Sequence, residues 1–392
     1  MTFSSAIRFS LLVLLMASMA NAQGQRPKAG GGGGGNKFAN SLPAKFKGLT
    51  TDQAREVGLL SELAVAWVGD LREGPGLDPV VDLFGPFGGQ RPEVDDDDVP
   101  PGTTPPPPPE ENERGLVVLS GLGRDQYTAI LELCKSQKEP LDNYLAARAK
   151  LVAKLRQLRG RETKETAAEA RTHEKETVEL GKEMGEAEAK LAVSQAWAFI
   201  QFEAKLSADQ KNYLRMLREN PKAFKLDSPA VIQTRELLAT LQEPSAVQAE
   251  DMAAKMTSFL SGNAEQNAAR RPHRAGTLLG KTSQKFPELT SQYLETLNPA
   301  QQDRLIQLLA AERPYTSDYV KKRLEFLAAL DSLKKISTLN DKKFILAGSQ
   351  MGELEARIGL AQARVFEQLR LSLSQSQLFF ITQNLVPAPA KQ

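Results

Sequence analysis

Two stretches of this 392-residue chain repeat each other. Leu122-Gly-Arg-Asp-Gln126 matches Leu297-Asn-Pro-Ala-Gln301, 175 positions further on. At the same spacing Ile130 matches Leu305, Leu133 matches Leu308, Tyr144 matches Tyr319 and Arg148 matches Arg323. Leu155 and Leu158 match Leu330 and Leu333. After a gap of eight positions the spacing becomes 167. There Met184-Gly185-Glu186 matches Met351-Gly352-Glu353, and Glu188-Ala189 matches Glu355-Ala356. Gln195-Ala196 matches Gln362-Ala363, Phe199 matches Phe366, and Leu206-Ser-Ala-Asp-Gln210 matches Leu373-Ser-Gln-Ser-Gln377. Self-similarity at a fixed period means one supersecondary unit used twice.

The unit is helical. Leu141, Tyr144, Leu145, Arg148, Leu151, Val152, Leu155 and Leu158 recur at three- and four-residue spacing, the period of one helix face. Met184, Ala187, Leu191, Gln195, Phe199, Phe202 and Leu206 form a second stripe. Between them, Arg161 to Glu183 is almost wholly polar and reads as an exposed helical extension supported by i,i+4 pairs such as Lys175/Glu179. No region sustains period-two alternation, so no sheet is expected. The predicted fold is all-α: two homologous repeats of long antiparallel amphipathic helices, coiled-coil in character, behind disordered N-terminal linkers.

The remainder divides by composition. Residues 1–22 read as a signal peptide: Arg8, an apolar run from Phe9 to Ala20, and an Ala20-Asn21-Ala22 cleavage site. That run is short for a spanning anchor, which needs about 20 apolar residues. Residues 23–48 form a Gly-rich linker with six glycines at Gly30–Gly35. An amphipathic helix is expected at 49–68, with Val57, Leu60, Ala64 and Trp67 on one face. Residues 69–113 hold 11 of the 23 prolines and the acidic run Asp95–Asp98, and read as a disordered linker. Repeat A then covers 114–220, a helical connector 221–288, repeat B 289–385 and a tail 386–392. The connector holds two short helices, one starting at Ser228-Pro229 and one at Ser245.

Each repeat opens and closes with Leu-x-x-x-Gln. The physics is a helix start. Ser207 stands at the N-cap and Gln210 three residues on, so each side chain can satisfy the other's backbone amide while Leu206 packs on the first turn. Asn298 with Gln301, Ser374 with Gln377, and Thr50 with Gln53 repeat the arrangement, preceded by Leu297, Leu373 and Leu49. Leu122 and Gln126 do so around Gly123, a cap without a side chain.

These paired motifs, 84 positions apart in repeat A and 76 in repeat B, resemble the L-T-x-x-Q motifs of the Spy/CpxP-type periplasmic proteins. The resemblance spans about 115–215 and 290–385, with a fragment at 49–68. Threonine survives only at Thr50; Gly123, Ser207, Asn298 and Ser374 replace it elsewhere. The resemblance implies export, a curved helical dimer, and binding of unfolded or partner proteins without ATP, or a role in envelope-stress signalling. Two repeats in one chain would then form either a homodimer or an intramolecular pseudo-dimer. The His-rich metal-binding segments of some relatives are missing.

Composition argues against other chemistry. Lys plus Arg number 50 and Asp plus Glu 48, a formal charge of +2, so there is no basic footprint for nucleic acid. One cysteine, Cys134, and two histidines, His173 and His273, make a cysteine- or histidine-built metal site or triad improbable. Cys134 falls on an apolar face and reads as a structural thiol. Ala275-Gly-Thr-Leu-Leu-Gly-Lys-Thr282 fits a relaxed phosphate loop, but no strand precedes it. The basic cluster Arg270, Arg271, His273, Arg274 and Lys281 reads as a solvated loop. No catalytic, cofactor or metal residues are expected, and no stable membrane insertion. The expected activity is ATP-independent binding of unfolded or envelope proteins in the periplasm or outside the cell. Trp197, Phe199, Phe202 and Phe366 are the candidate client-binding residues, although core packing is the more frequent meaning of such an aromatic stripe. The alternative function is an envelope scaffold with a Pro-rich tether.

Overall fold

The computed structural model describes residues 42–69, 111–159, 165–219, 226–241, 246–261, 287–335 and 341–384. The expectations for the signal peptide, Gly30–Gly35, Asp95–Asp98, Ala275–Thr282, the basic cluster and the tail fall outside them.

The described residues form helices and turns, with no strand among them: the chain is all-α. In order the helices are α1 (Thr51–Gly69), α2 (Glu111–Ser120), α3 (Arg124–Arg156), α4 (Ala167–Glu203), α5 (Ala208–Glu219), α6 (Pro229–Ala239), α7 (Ala246–Ser261), α8 (Pro287–Thr296), α9 (Pro299–Ser332), α10 (Asp341–Ser372) and α11 (Gln375–Asn384). One hydrophobic core runs through all of them.

The most extensive packing is between α4 and α10, flanked by α3 against α4 and α9 against α10. Contacts between α3 and α4 join Gln126 to Lys205, Gln137 to Ser194 and Lys154 to Glu176, in opposite order along the two helices. Helix α7 packs on α2, α3, α4 and α5, while α1 packs on α8, α9, α10 and α11. Each of these two helices therefore docks on the half of the chain it does not adjoin at its own C-terminal end.

The α4–α10 crossing is made by glycines. A Cβ on Gly185 would run into the Gly348 carbonyl, and one on Gly348 into the Gly185 carbonyl. Gly181 and Gly352 are related in the same reciprocal way. Lacking side chains, these positions let two backbones approach as no other residue permits.

Several expectations are corrected. The stretch expected as an exposed helical extension is helical from Ala167 but buries one of its faces. The helix breaks after Arg156 and restarts at Ala167, where Thr166 and Glu169 form a reciprocal cap. Beyond it His173, Thr177, Val178 and Gly181 are buried, because small residues replace large apolar ones where α10 lies close. The linker expected over 23–48 ends in an anchored turn, with Leu42 and Phe46 buried. The linker expected over 69–113 stops earlier, since Glu111 already begins α2. The second connector helix, α7, is core: Ala249, Ala253, Met256 and Phe259 are buried. The first connector helix is capped by Ser228, as its sequence predicts.

Candidate functional site

The Leu-x-x-x-Gln residues all stand at helix starts. Gln53, Gln126, Gln210, Gln301 and Gln377 each accept from the backbone amide of Thr50, Gly123, Ser207, Asn298 and Ser374 at 2.8–3.0 Å. Thr50, Ser207, Asn298 and Ser374 return the bond to the glutamine's own amide. Leu206 and Leu297 are buried, and Leu49, Leu122 and Leu373 pack against the core from its edge.

The glutamines also meet in pairs, which helix capping alone does not explain. Gln126 donates to Gln210 Oε1 at 2.8 Å while Gln210 donates to Gln126 Oε1 at 2.6 Å. Gln301 and Gln377 do the same at 3.2 and 2.8 Å. Each amide then holds a carbonyl at a helix end: Lys205, Gly121, Ser372 and Thr296 respectively. Those carbonyls lack intrahelical partners, so each clasp completes two helix junctions at once. The motif is a clasp between paired helix corners, closed by glutamine amides.

A second cluster lies beside the glycine crossing. Tyr144 and Arg148 of α3, Glu188 of α4, Tyr319 and Arg323 of α9, and Glu355 of α10 interact electrostatically. Tyr144, Arg148, Glu188 and Tyr319 are buried. Burial, then the neighbouring Glu355 charge, raises the Glu188 carboxyl above its ordinary value, while Arg323 and Arg148 oppose the shift. Elsewhere on α9, burial pushes Glu312 up to about 7, against the lowering effect of the Gln362 hydrogen bond at 3.0 Å. Among the described residues no group of three His, Cys, Asp or Glu side chains is placed to hold a metal. None of the helices searched among them is long and apolar enough to cross a membrane.

An open groove of about 810 Å³ lies between α3 and α4, reaching the start of α10 at Asp341 and Ile345. Its apolar walls include Leu133, Val193, Trp197 and Phe202; Glu132, Lys190 and Lys205 supply charge. Gln137 also lines it and is 4 % exposed. Its amide nitrogen donates to Ser194 Oγ at 3.0 Å, and its amide oxygen is buried with no partner. An unpaired buried polar group of this kind costs about 1–3 kcal/mol.

Of the four aromatic residues expected to contact a client, Trp197 borders the groove and is half-buried; Phe202 also borders it but is 4 % exposed and belongs to the core. Phe199 and Phe366 show 0 % exposure and pack in the core, so they offer a client no surface; that expectation is corrected. Phe199 lies 6.0 Å from the Phe259 ring of α7. Sequence reasoning missed Gln137, because a single glutamine on a helix carries no signal until its neighbours are known. Cys134 is half-buried with its thiol 3.6 Å from the Gln248 carbonyl, and burial pushes its pKa up to about 12.

Comparison with protein-family models, with curated proteins and with solved structures returns no match.

Proposed function

We propose that the chain is an exported, ATP-independent protein-binding module, chaperone-like or regulatory in the cell envelope. It acts by holding other polypeptides in their unfolded or partner form, and it catalyses no reaction. The observation that carries this reading is the α3–α4 groove, which combines apolar residues and Trp197 with a few charged side chains, Glu132, Lys190 and Lys205. A groove of this size with a few placed polar groups is the usual form of a binding site. The L-x-x-x-Q clasps and their resemblance to Spy/CpxP-type proteins point the same way.

In this reading the two halves are homologous repeats of antiparallel helices, paired as an internal pseudo-dimer. Support comes from the reciprocal contacts. Gly181 and Gly185 stand 167 positions before Gly348 and Gly352, and each meets the other's counterpart across the crossing. A two-fold interface has this property: residue i contacts j′ and j contacts i′. The repeat would also extend further than the motifs suggest. Helices α1 and α7 align at a spacing of 195, from Thr50/Gln53 to Ser245/Gln248, and bury matching positions: Ala54 with Ala249, Val57 with Met252, Ala64 with Phe259. The unit is then α1–α5 and α7–α11, with the leading helix exchanged between halves.

The test is suppression of aggregation. The mature chain, beginning at Gln23, should keep a reduced, unfolding client in solution at near-equimolar ratio without nucleotide. No protection at several-fold molar excess would contradict the proposal. Capture of one folded partner and no unfolded client would favour a scaffold instead.

A further inference from the structure

We infer that α1 is a proton-operated strap: it stays seated on the second half of the chain while Glu312 holds its proton, and it lifts when rising pH takes that proton away. The strap does not depend on what the α3–α4 groove binds.

The packing sets Glu312 beneath α1. Just before this helix, Lys45 pairs with Asp303 at 2.6 Å and donates to the Pro299 carbonyl at 3.1 Å, both at the start of α9. Towards the other end, Trp67 Nε1 donates to Glu367 Oε2 of α10 at 3.0 Å. Between these anchors α1 lies on α9 and α10 and buries Val57, Leu60, Leu63 and Ala64. Glu56 follows Lys45 by eleven positions and Glu312 follows Asp303 by nine, a comparable distance along the seat. Glu312 is 7 % exposed. From α10 the Gln362 amide donates to it at 3.0 Å, and from α1 the Glu56 carboxyl bears on it. On α9 itself the next residue, Arg313, is exposed.

A proton on Glu312 keeps this point of the seat neutral. Without it, a buried carboxylate faces a second carboxylate, with the Gln362 amide to offset the cost. Burial first and Glu56 after it push the Glu312 carboxyl up to about 7, against the Gln362 bond. Lifting α1 removes both raising causes, since it opens Glu312 to water and carries Glu56 away. The lifted state then holds the proton less tightly than the seated one, so losing the proton favours lifting. The change runs from the ordinary carboxyl value near 4.5 up through 7.

The first half supplies the contrast. Its leading helix α7 aligns with α1 at a spacing of 195, where Glu56 corresponds to Asp251, which is paired with Lys255. Glu312 corresponds to Gln137, 175 positions earlier, whose amide does not ionise. A paired carboxylate and a neutral amide thus stand at the positions where the second half has two carboxyls.

The test is hydrogen exchange read by mass spectrometry on the mature chain, with protection factors corrected for the pH dependence of intrinsic exchange. From pH 5.5 to pH 8.5 the protection of residues 57–67 should fall about tenfold or more, which a shift from 4.5 to about 7 permits. Protection of residues 249–259 in α7 should change by less than about twofold, as expected when one element opens by itself. Glu312→Gln should keep α1 protected at both pH values. Glu56→Gln should shrink the fall, since it removes the like charge and keeps the packing. Equal losses in α1 and α7 would mean that the whole chain opens and would overturn the inference. So would α1 protection that is flat with pH, or a fall that persists in Glu312→Gln. Should Glu312→Gln fail to fold, Glu56→Gln decides, and a fall it leaves undiminished overturns the inference.

Discussion

The carbonyl of Gly348 occupies the space that a side chain on Gly185 would need, and the carbonyl of Gly185 occupies the space needed at Gly348. Two long helices meet here backbone to backbone, and the closeness of α4 and α10 depends on residues with no Cβ.

Gly185→Ala therefore destabilises the fold. In a helix interior, glycine to alanine ordinarily stabilises by about 0.5–1 kcal/mol. Here the new methyl meets backbone, which cannot swing aside as a side chain does, and overpacking costs about 1–3 kcal/mol. Urea unfolding should show a net loss for Gly185→Ala and for Gly348→Ala. Gly48→Ala, with nothing within 4 Å of the added Cβ, is the control that should stay near neutral. A stabilised Gly185→Ala variant would contradict the crossing.

The glutamine clasps give a second prediction. Gln301 is 1 % exposed and holds the Asn298 amide, the Ser372 carbonyl and Gln377 together. Gln301→Ala should cost about 1–3 kcal/mol, since it leaves buried groups unpaired. Gln126→Ala, at the more exposed clasp, should cost less. A double-mutant cycle of Gln301→Ala with Gln377→Ala should show coupling of about 0.5–3 kcal/mol, the range for residues in one hydrogen-bond network. Additive losses would mean the two side chains act only as separate caps.

Stability should also fall as pH rises through neutrality. Burial first, and the Glu56 charge after it, raise Glu312 to about 7, opposed by the Gln362 hydrogen bond. Glu188 is raised as well, by burial and then by Glu355. A carboxyl that titrates higher in the folded than in the unfolded chain binds its proton more tightly when folded. Its contribution is full below the unfolded value near 4.5 and is lost as pH climbs through the folded value. For Glu312 alone the loss is on the order of 3 kcal/mol between those limits. Thermal unfolding at pH 5 and pH 8 should reveal the slope, and Glu312→Gln should flatten it. A melting temperature that rises over this interval, in the wild type and unchanged in the variant, would contradict the assignment.

Cys134 should resist modification. With its thiol pushed up to about 12, almost no thiolate exists at pH 8, and the thiolate is the reactive form. Alkylation should run far more slowly in the native chain than in urea. Equal rates in both states would show that the thiol is open to solvent.

The all-α fold was legible because helical periodicity is a local signal that long stripes state many times over. The matches among Tyr144/Tyr319, Arg148/Arg323 and Glu188/Glu355 were legible as well, although spacing alone does not say why charge should recur on a buried face; in space these six side chains interact beside the α4–α10 crossing. That residues 167–183 bury one face was not legible. Apart from Val178, this face is built of His173, Thr177 and Gly181, which carry no hydrophobic signature; at Gly181 the α10 backbone lies where a side chain would stand. The partner of α1 was hidden for a related reason: periodicity shows that a face is apolar, and says nothing about which distant helix covers it. In space Trp67 Nε1 donates to Glu367 Oε2 at 3.0 Å, 300 positions away. The groove divided in the same manner, with Trp197 and Phe202 named by their aromaticity and Gln137 visible only through its unpaired oxygen.

The most direct measurement is photocrosslinking from the groove. A benzophenone side chain at position 197 of the mature chain, irradiated with a reduced, unfolding client, should form crosslinks that mass spectrometry maps to apolar client segments. The same probe at position 237, an exposed leucine site on α6, should form few. Crosslinks of equal yield from both positions, or none from position 197 under conditions where aggregation is suppressed, would contradict the account.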